Sequence, residues 1–400
     1  MVFVVALLAT QPILAQSDQD AQRKELTTPP PSIEFSDWRQ VEDDEFTDVY
    51  ELTFPSAYIS GFAENDTVRI KVFMPTEPTG PVPSVVVLHY WGATDLNLEA
   101  QTGRELNSRG VAAVVMTLPF HLTRTPKGSR SGELALQADP TKLVASMTQS
   151  ILDLRRTVDW ISSRPEFDKT KIGLAGTSLG GIVGSLGYGI EPRFVAGSFV
   201  LAGADLAGIL WNSSRVVSQR EDMRRRGFTE DKLREALQAI EPGTYLDQKD
   251  ARPSLVVAAS LDTVVPPDNS RKLVSLLGQP TVVWLSTGHF GGALVRGRIV
   301  HTVANFFAAA FRGQKFEAPA SIHALTLRFG LVYSGEKGLQ VAVSTDIWHA
   351  DSKGKTFAAA MLTPQGPQGF AGFRVSNGLA VGAVVFPRRT TFGVSWNVAF

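Results

Sequence analysis

No cysteine occurs in the 400 residues. That excludes disulfides, thiolate zinc sites, iron–sulfur clusters and a cysteine nucleophile in one step. Net charge is missing as well: 39 Lys and Arg stand against 39 Asp and Glu, leaving no overall field to attract nucleic acid or an acidic surface. No apolar run approaches the roughly 20 residues of a helical membrane span. No G-x-G-x-x-G opens a helix after the first core strand, and no G-x-x-x-x-G-K-[ST] occurs. H-E-x-x-H is absent, and none of the six histidines pair at i, i+4. Neither a metal nor a cofactor is expected, and no nucleic-acid partner.

With 44% apolar and 20% charged residues, the chain reads as globular, and its length allows two or three domains. Residues 2–9 (VFVVALLA) are apolar, and Ala15 is a small residue shortly after them. The run is too short to span a bilayer and suits the core of a signal peptide, so residues 1–15 predict export to the periplasm or beyond. Residues 16–48 are polar around Pro29-Pro30-Pro31 and read as an extended or poorly ordered leader.

From Val68 the texture changes. Residues 68–73, 85–89, 111–118, 171–175, 199–201, 255–260 and 282–285 are short and rich in β-branched side chains. Most are unbroken apolar runs, as in parallel strands covered on both faces. Helical spacing separates them: Leu143, Met147, Ile151, Leu154, Val158 and Ile161 recur at three- and four-residue steps. Residues 181–187, 269–277 and 298–311 are further helical segments. Strand–helix alternation over residues 49–313 predicts an α/β doubly wound, mostly parallel sheet. Two insertions interrupt it, residues 119–140 with His121, Arg124, Lys127 and Arg130, and a charged helical stretch at 203–250. Thr229 is placed there to cap a helix at 230–240. Both follow the carboxyl ends of strands, where open α/β sheets bind ligands, and the second reads as a lid.

Gly176-Thr177-Ser178-Leu179-Gly180 follows a strand and opens a helix rich in small residues, the setting of a nucleophile elbow. A serine hydroxyl needs a base, and the base needs an orienting carboxylate. Asp262 and His289 each fall just past a late core strand, in the chain order Ser…Asp…His of this architecture. The alternatives are a turn-capping aspartate at 262, with Asp268 as its competitor, and a surface-loop histidine at 289. Charge developing on the former carbonyl oxygen needs preorganised donors. The Leu179 amide is one; Trp91 or Tyr90, in the loop after the 85–89 strand, supplies the other.

Together these residues give residues 50–312 a resemblance to the α/β-hydrolase superfamily, nearest to its dienelactone-hydrolase and acetyl-xylan-esterase-like branch. It rests on GTSLGG at 176–181, DTVVP at 262–266 and Gly288-His289. The resemblance implies Ser178 as nucleophile, Asp262 as acid, His289 as base, and Trp91 with Leu179 as oxyanion donors. Where the family carries His-Gly after the oxyanion strand, this chain has His89-Tyr90, which brings Tyr90 towards the substrate. Pro119-Phe120-His121 resembles a loop segment of such hydrolases, and His121 is a second candidate substrate contact. The expected activity is cleavage of small carboxylic esters through an acyl-enzyme. The alternatives are a serine peptidase of oligopeptidase type and an inert surface binding protein on a hydrolase scaffold.

Residues 320–400 differ in texture. From residue 322 on there are three acids (Glu336, Asp346, Asp351) against seven bases, and about six alternating segments separated by glycine-containing turns predict an antiparallel all-β module. The terminal pattern Phe392, Val394, Trp396, Val398, Phe400 resembles the last strand of outer-membrane β-barrels. Those have at least about eight strands, so a small sandwich or docking module is expected, with outer-membrane or surface association as the alternative.

Overall fold

The computed structural model describes residues 16–322, 327–349, 355–376, 379–386 and 389–399. The segment read as a signal peptide lies outside them. The chain divides into two compact units, Met1–Ile322 and His323–Phe400.

The first unit is built on a ten-stranded sheet. Its strands are β1 (Arg39–Asp43), β2 (Thr47–Pro55), β3 (Thr67–Pro75), β4 (Val82–Leu88), β5 (Ala112–Met116), β6 (Phe167–Thr177), β7 (Phe194–Val200), β8 (Ser254–Ala259), β9 (Thr281–Leu285) and β10 (Ser321–Ile322). Spatial order is β1-β2-β3-β5-β4-β6-β7-β8-β9-β10. Pairing is antiparallel from β1 through the β3–β5 contact and parallel from β5 onward. The central strands are mostly apolar because helices cover both faces; every residue of β5 and β8 is buried.

Those helices are α1 (Gln16–Thr27), α2 (Asn97–Asn107), α3 (Pro140–Ser163), α4 (Leu179–Ile190), α5 (Leu206–Asn212), α6 (Val217–Arg225), α7 (Glu230–Ala236), α8 (Pro267–Leu276) and α9 (Arg296–Phe311). The six apolar positions read from the α3 periodicity are all buried. Asp139 caps that helix by accepting from the Thr141 amide at 3.0 Å, ahead of Pro140 in the first turn. In the lid, Thr229 accepts from the Lys232 amide as expected, but α7 ends at Ala236 and a 3₁₀ turn covers Gln238–Ile240.

The leader is not extended throughout. Residues 16–27 form α1, which docks: Leu26 is fully buried, its carbonyl accepts from Arg155, and Gln19 donates to the Glu235 carbonyl of the lid. An isolated polar helix this short is marginal in water; here tertiary contacts hold it. Residues 39–43 add the edge strand β1.

In the second unit β11 (Leu327–Ser334), β12 (Gly338–His349), β13 (Thr356–Thr363), β14 (Gly366–Arg374), β15 (Leu379–Phe386) and β16 (Arg389–Ala399) form a closed antiparallel barrel. It is not a sandwich: β16 pairs with both β15 and β11, so no edge is left.

Candidate active site

Ser178 stands between the end of β6 and the first residue of α4, at φ 55° and ψ −116°. The turn is this tight because its glycines leave room. A Cβ on Gly176 would run into the Gly180 carbonyl, and one on Gly180 into the Leu88 and His89 carbonyls of the β4 end. The Ser178 amide donates to the Val200 carbonyl at 2.8 Å, fixing the elbow to β7. The Leu179 amide opens α4, where the first-turn N–H groups have no intrahelical acceptor.

Asp262 follows β8 by three residues and His289 follows β9 by four. Backbone hydrogen bonds tie the two loops together, Ser260 N to Leu285 O at 2.9 Å and Leu261 N to Thr287 O at 3.0 Å. Asp262 is buried, and its Oδ1 accepts from the Val264 and Val265 amides at 2.8 and 2.9 Å. Its Oδ2 lies 2.7 Å from His289 Nδ1, and His289 Nε2 lies 3.0 Å from Ser178 Oγ. A carboxylate can only accept, so Nδ1 carries the proton and donates to Oδ2, while Nε2 accepts from the serine hydroxyl. Three side chains separated by up to 111 positions meet in one line, an arrangement able to draw a proton from a hydroxyl.

Ser178 and His289 open into a cavity of about 470 Å³. Tyr90, Trp91, Val200, Leu201, Val300 and Val303 are among its walls. The Trp91 indole N–H donates to the Gly132 carbonyl at 2.8 Å, so the 119–140 loop braces the loop after β4. Arg215 reaches in from the lid, its guanidinium 5.4 Å from the Trp91 ring and 5.8 Å from that of Phe290. Lid and acid loop are joined where Ser214 N donates to Thr263 O at 2.7 Å. Glu99 also lines the cavity, and burial raises its carboxyl to about 7. Sequence reading missed it, because an acid in a helix normally signals a solvated face.

The structure does not bring His121 to the cavity. It is fully buried, Nδ1 donates to the Pro119 carbonyl at 2.8 Å, and its ring packs edge-on against His89 at 4.9 Å. His89 in turn accepts from the Leu118 amide at 3.0 Å. Burial lowers His89 to about 4 and His121 to about 3, so both are neutral braces near pH 7. Of the remaining histidines, His301 is engaged with Glu105 at 2.8 Å, and His323 lies outside the described residues. No cluster of three or more potential metal ligands occurs among the described residues.

The model of a family described as alpha/beta hydrolase domain containing 18 matches residues 12–209. Among solved structures, acetyl xylan esterase 1 from Thermoanaerobacterium sp. JW/SL YS485 aligns with a TM-score of 0.55 and 16% identity, over 72% of this chain and 94% of that one. The acetyl xylan esterase from Paenibacillus sp. R4 aligns at 0.52 and 18%, over 70% and 91%. Residues 12–209 thus match an α/β-hydrolase family model, and the chain has the α/β-hydrolase fold. The ten-stranded sheet carries that fold, and the closed β-barrel of the second unit follows it in the chain. An uncharacterised protein of Mycobacterium tuberculosis (strain ATCC 25618 / H37Rv), Rv2627c, is 28% identical over 216 residues, 53% of this chain and 50% of the relative. The chain thus spans about half the length of the curated relatives it matches.

Proposed function

We propose that this hydrolase cleaves carboxylic esters through an acyl-enzyme on Ser178. The observation that carries the reading is the unbroken relay from Asp262 through His289 to the Ser178 hydroxyl, at 2.7 and 3.0 Å. Ser178 Oγ attacks the ester carbonyl as its proton passes to His289 Nε2. The Leu179 and Trp91 amides receive the oxyanion, and Asp262 stabilises the imidazolium. The imidazolium protonates the departing alkoxide. A water then attacks the acyl-enzyme, giving its proton to His289, and collapse returns a proton to Ser178. None of these steps calls for a metal or cofactor.

The cavity supports an acyl or alcohol group with apolar bulk. Leu261, Phe290 and Leu294 add exposed apolar surface in the loops around Asp262 and His289. The naming of both matched structures as acetyl xylan esterases is consistent with ester cleavage.

Ser178→Ala is expected to fold and to lose roughly four to six orders of magnitude in kcat on p-nitrophenyl acetate. Asp262→Asn, which mis-sets the imidazole tautomer, should cost about 10⁴. A fluorophosphonate should label the parent and not Ser178→Ala. Turnover surviving in Ser178→Ala would remove the mechanism, and faster cleavage of short peptides than of esters would move the substrate class.

A further inference from the structure

The barrel of the second unit is turned inside out with respect to charge. Its ladders place Phe373, Val381, Val394, Tyr333 and Leu339 side by side across five consecutive strands on the outer face. Farther along, Leu331, Val341 and Trp396 neighbour one another in the same way. Tyr333, Leu339, Val341, Phe373 and Trp396 are between 46% and 66% exposed. No outward position on the described strands carries a charged side chain. The charges lie inside or at the ends. Arg328 and Arg374 both reach Asp346 Oδ2 within the barrel, at 3.2 and 2.6 Å, with Asp346 only 7% exposed. Gln368 donates to Gln340 and Thr363 at 3.1 and 3.0 Å, also inside. Glu336 and Arg389 pair where strands turn.

In water, alternation puts polar residues outward and apolar ones inward. An apolar outer face free of charge on every described strand, around an interior that holds the charged network, is the pattern of a barrel surrounded by hydrocarbon. The barrel also meets the backbone condition for that medium, since closure leaves no unpaired edge. Its strands run from 8 to 12 residues, bracketing the 9–11 that a tilted strand needs to cross a bilayer core. A protein partner would cover one side and leave the rest of the ring wet. A medium on all sides matches a face that is uncharged all the way round.

We propose that residues 327–399 form a lipid-embedded anchor for the hydrolase unit. Six strands are fewer than in bacterial outer-membrane barrels, and the interior is correspondingly filled. Phe357 stacks on Phe370 at 5.6 Å, and Val332, Met361 and Val384 are buried beside the polar network. The barrel is therefore a plug and not a pore. The excess of bases over acids in the stretch from residue 322 onward complements anionic headgroups.

The test uses the full chain, transferred from detergent into vesicles of phosphatidylethanolamine and phosphatidylglycerol. It should float with the vesicles and stay with them through high salt and alkaline washing. Acyl-chain-brominated lipid should quench its tryptophan fluorescence, and Trp396→Phe should lose most of that quenching. Leu331→Asp combined with Val341→Asp should shift the protein from the floating to the dense fraction. The quenching measurement on the parent stands even where that variant does not fold. A parent chain that washes off with salt, or shows no bromolipid quenching, overturns the proposal. So does one that runs without detergent as a discrete monomer or oligomer, the latter meaning that copies of itself cover the face.

Discussion

A non-glycine residue at positive φ costs of order 1–3 kcal/mol and persists only where its surroundings over-determine it. Ser178 meets that condition through the two flanking glycines and the bond from its amide to β7. The cost sits where an exposed hydroxyl facing an imidazole is the return. Glu99 is a second residue held against its preference. It is 1% exposed in the cavity wall, its Oε2 has no hydrogen-bond partner, and burial, helped by the nearby Asp95 charge, raises its carboxyl from 4.5 to about 7. The unfolded chain gives up this proton near 4.5, so between about 4.5 and 7 the folded state binds the extra proton. Its stabilising contribution is complete below that window and is lost as pH rises through 7, by up to about 1.4 kcal/mol per pH unit. Glu99→Gln should flatten the decline and be more stable than the parent at about pH 8. Denaturant midpoints measured across that range check this; parallel curves would mean that Glu99 is ionised throughout.

Elements differ in how far the sequence announces them. The alternation from β4 to α9, the elbow, and the loops of Asp262 and His289 are legible, because continuous apolar strands, 3.6-residue spacing and a glycine-bracketed serine each leave a local trace. α2 leaves little, since Gly103 interrupts it; the glycine is there because a Cβ would press on the Phe73 ring at 2.7 Å. In the barrel, alternation reveals two faces but not which one turns inward, which pairing alone decides. The packing of the 119–140 loop is also silent. Arg124, read from the sequence as one of three cations on a ligand-facing loop, is fully buried. It donates to the carbonyls of Asn65 and Thr117 and pairs with Asp153 at 2.8 Å on the inner face of α3. Asp153 also accepts from Ser56 at 2.7 Å and from the Ala57 amide at 3.1 Å. Arg124→Leu leaves that carboxylate buried without its cation and should destabilise the fold by about 3–5 kcal/mol. Adding Asp153→Leu should recover part of the loss, a coupling that a double-mutant cycle of unfolding midpoints reads directly. Equal losses that simply add would show that the two groups do not act as a pair.

For the molecule as a whole, chemistry and barrel belong to different stretches of chain, and the boundary between them is sharper than the sequence suggests. The residues 314–319 stretch reads as a linker, yet Ser321 and Ile322 just beyond it form β10 and complete the first sheet. Ser321 and Ile322 pair with Trp284 and Leu285, while Trp284 N donates to Ala320 O and Ser286 N to Ile322 O at 3.0 and 3.1 Å. β10 therefore covers the edge of β9, the strand that leads to His289. Every residue of the relay and the cavity lies before this point. A chain ending at Ile322 should keep ester turnover and lose vesicle flotation. One ending at Lys315 leaves β9 as an open edge, the kind of row that pairs with other chains, and should aggregate and lose activity as the His289 loop loosens. Turnover and size-exclusion profiles of the two, side by side, separate the roles. If the chain ending at Ile322 loses turnover together with flotation, the hydrolase unit depends on the barrel for more than its location.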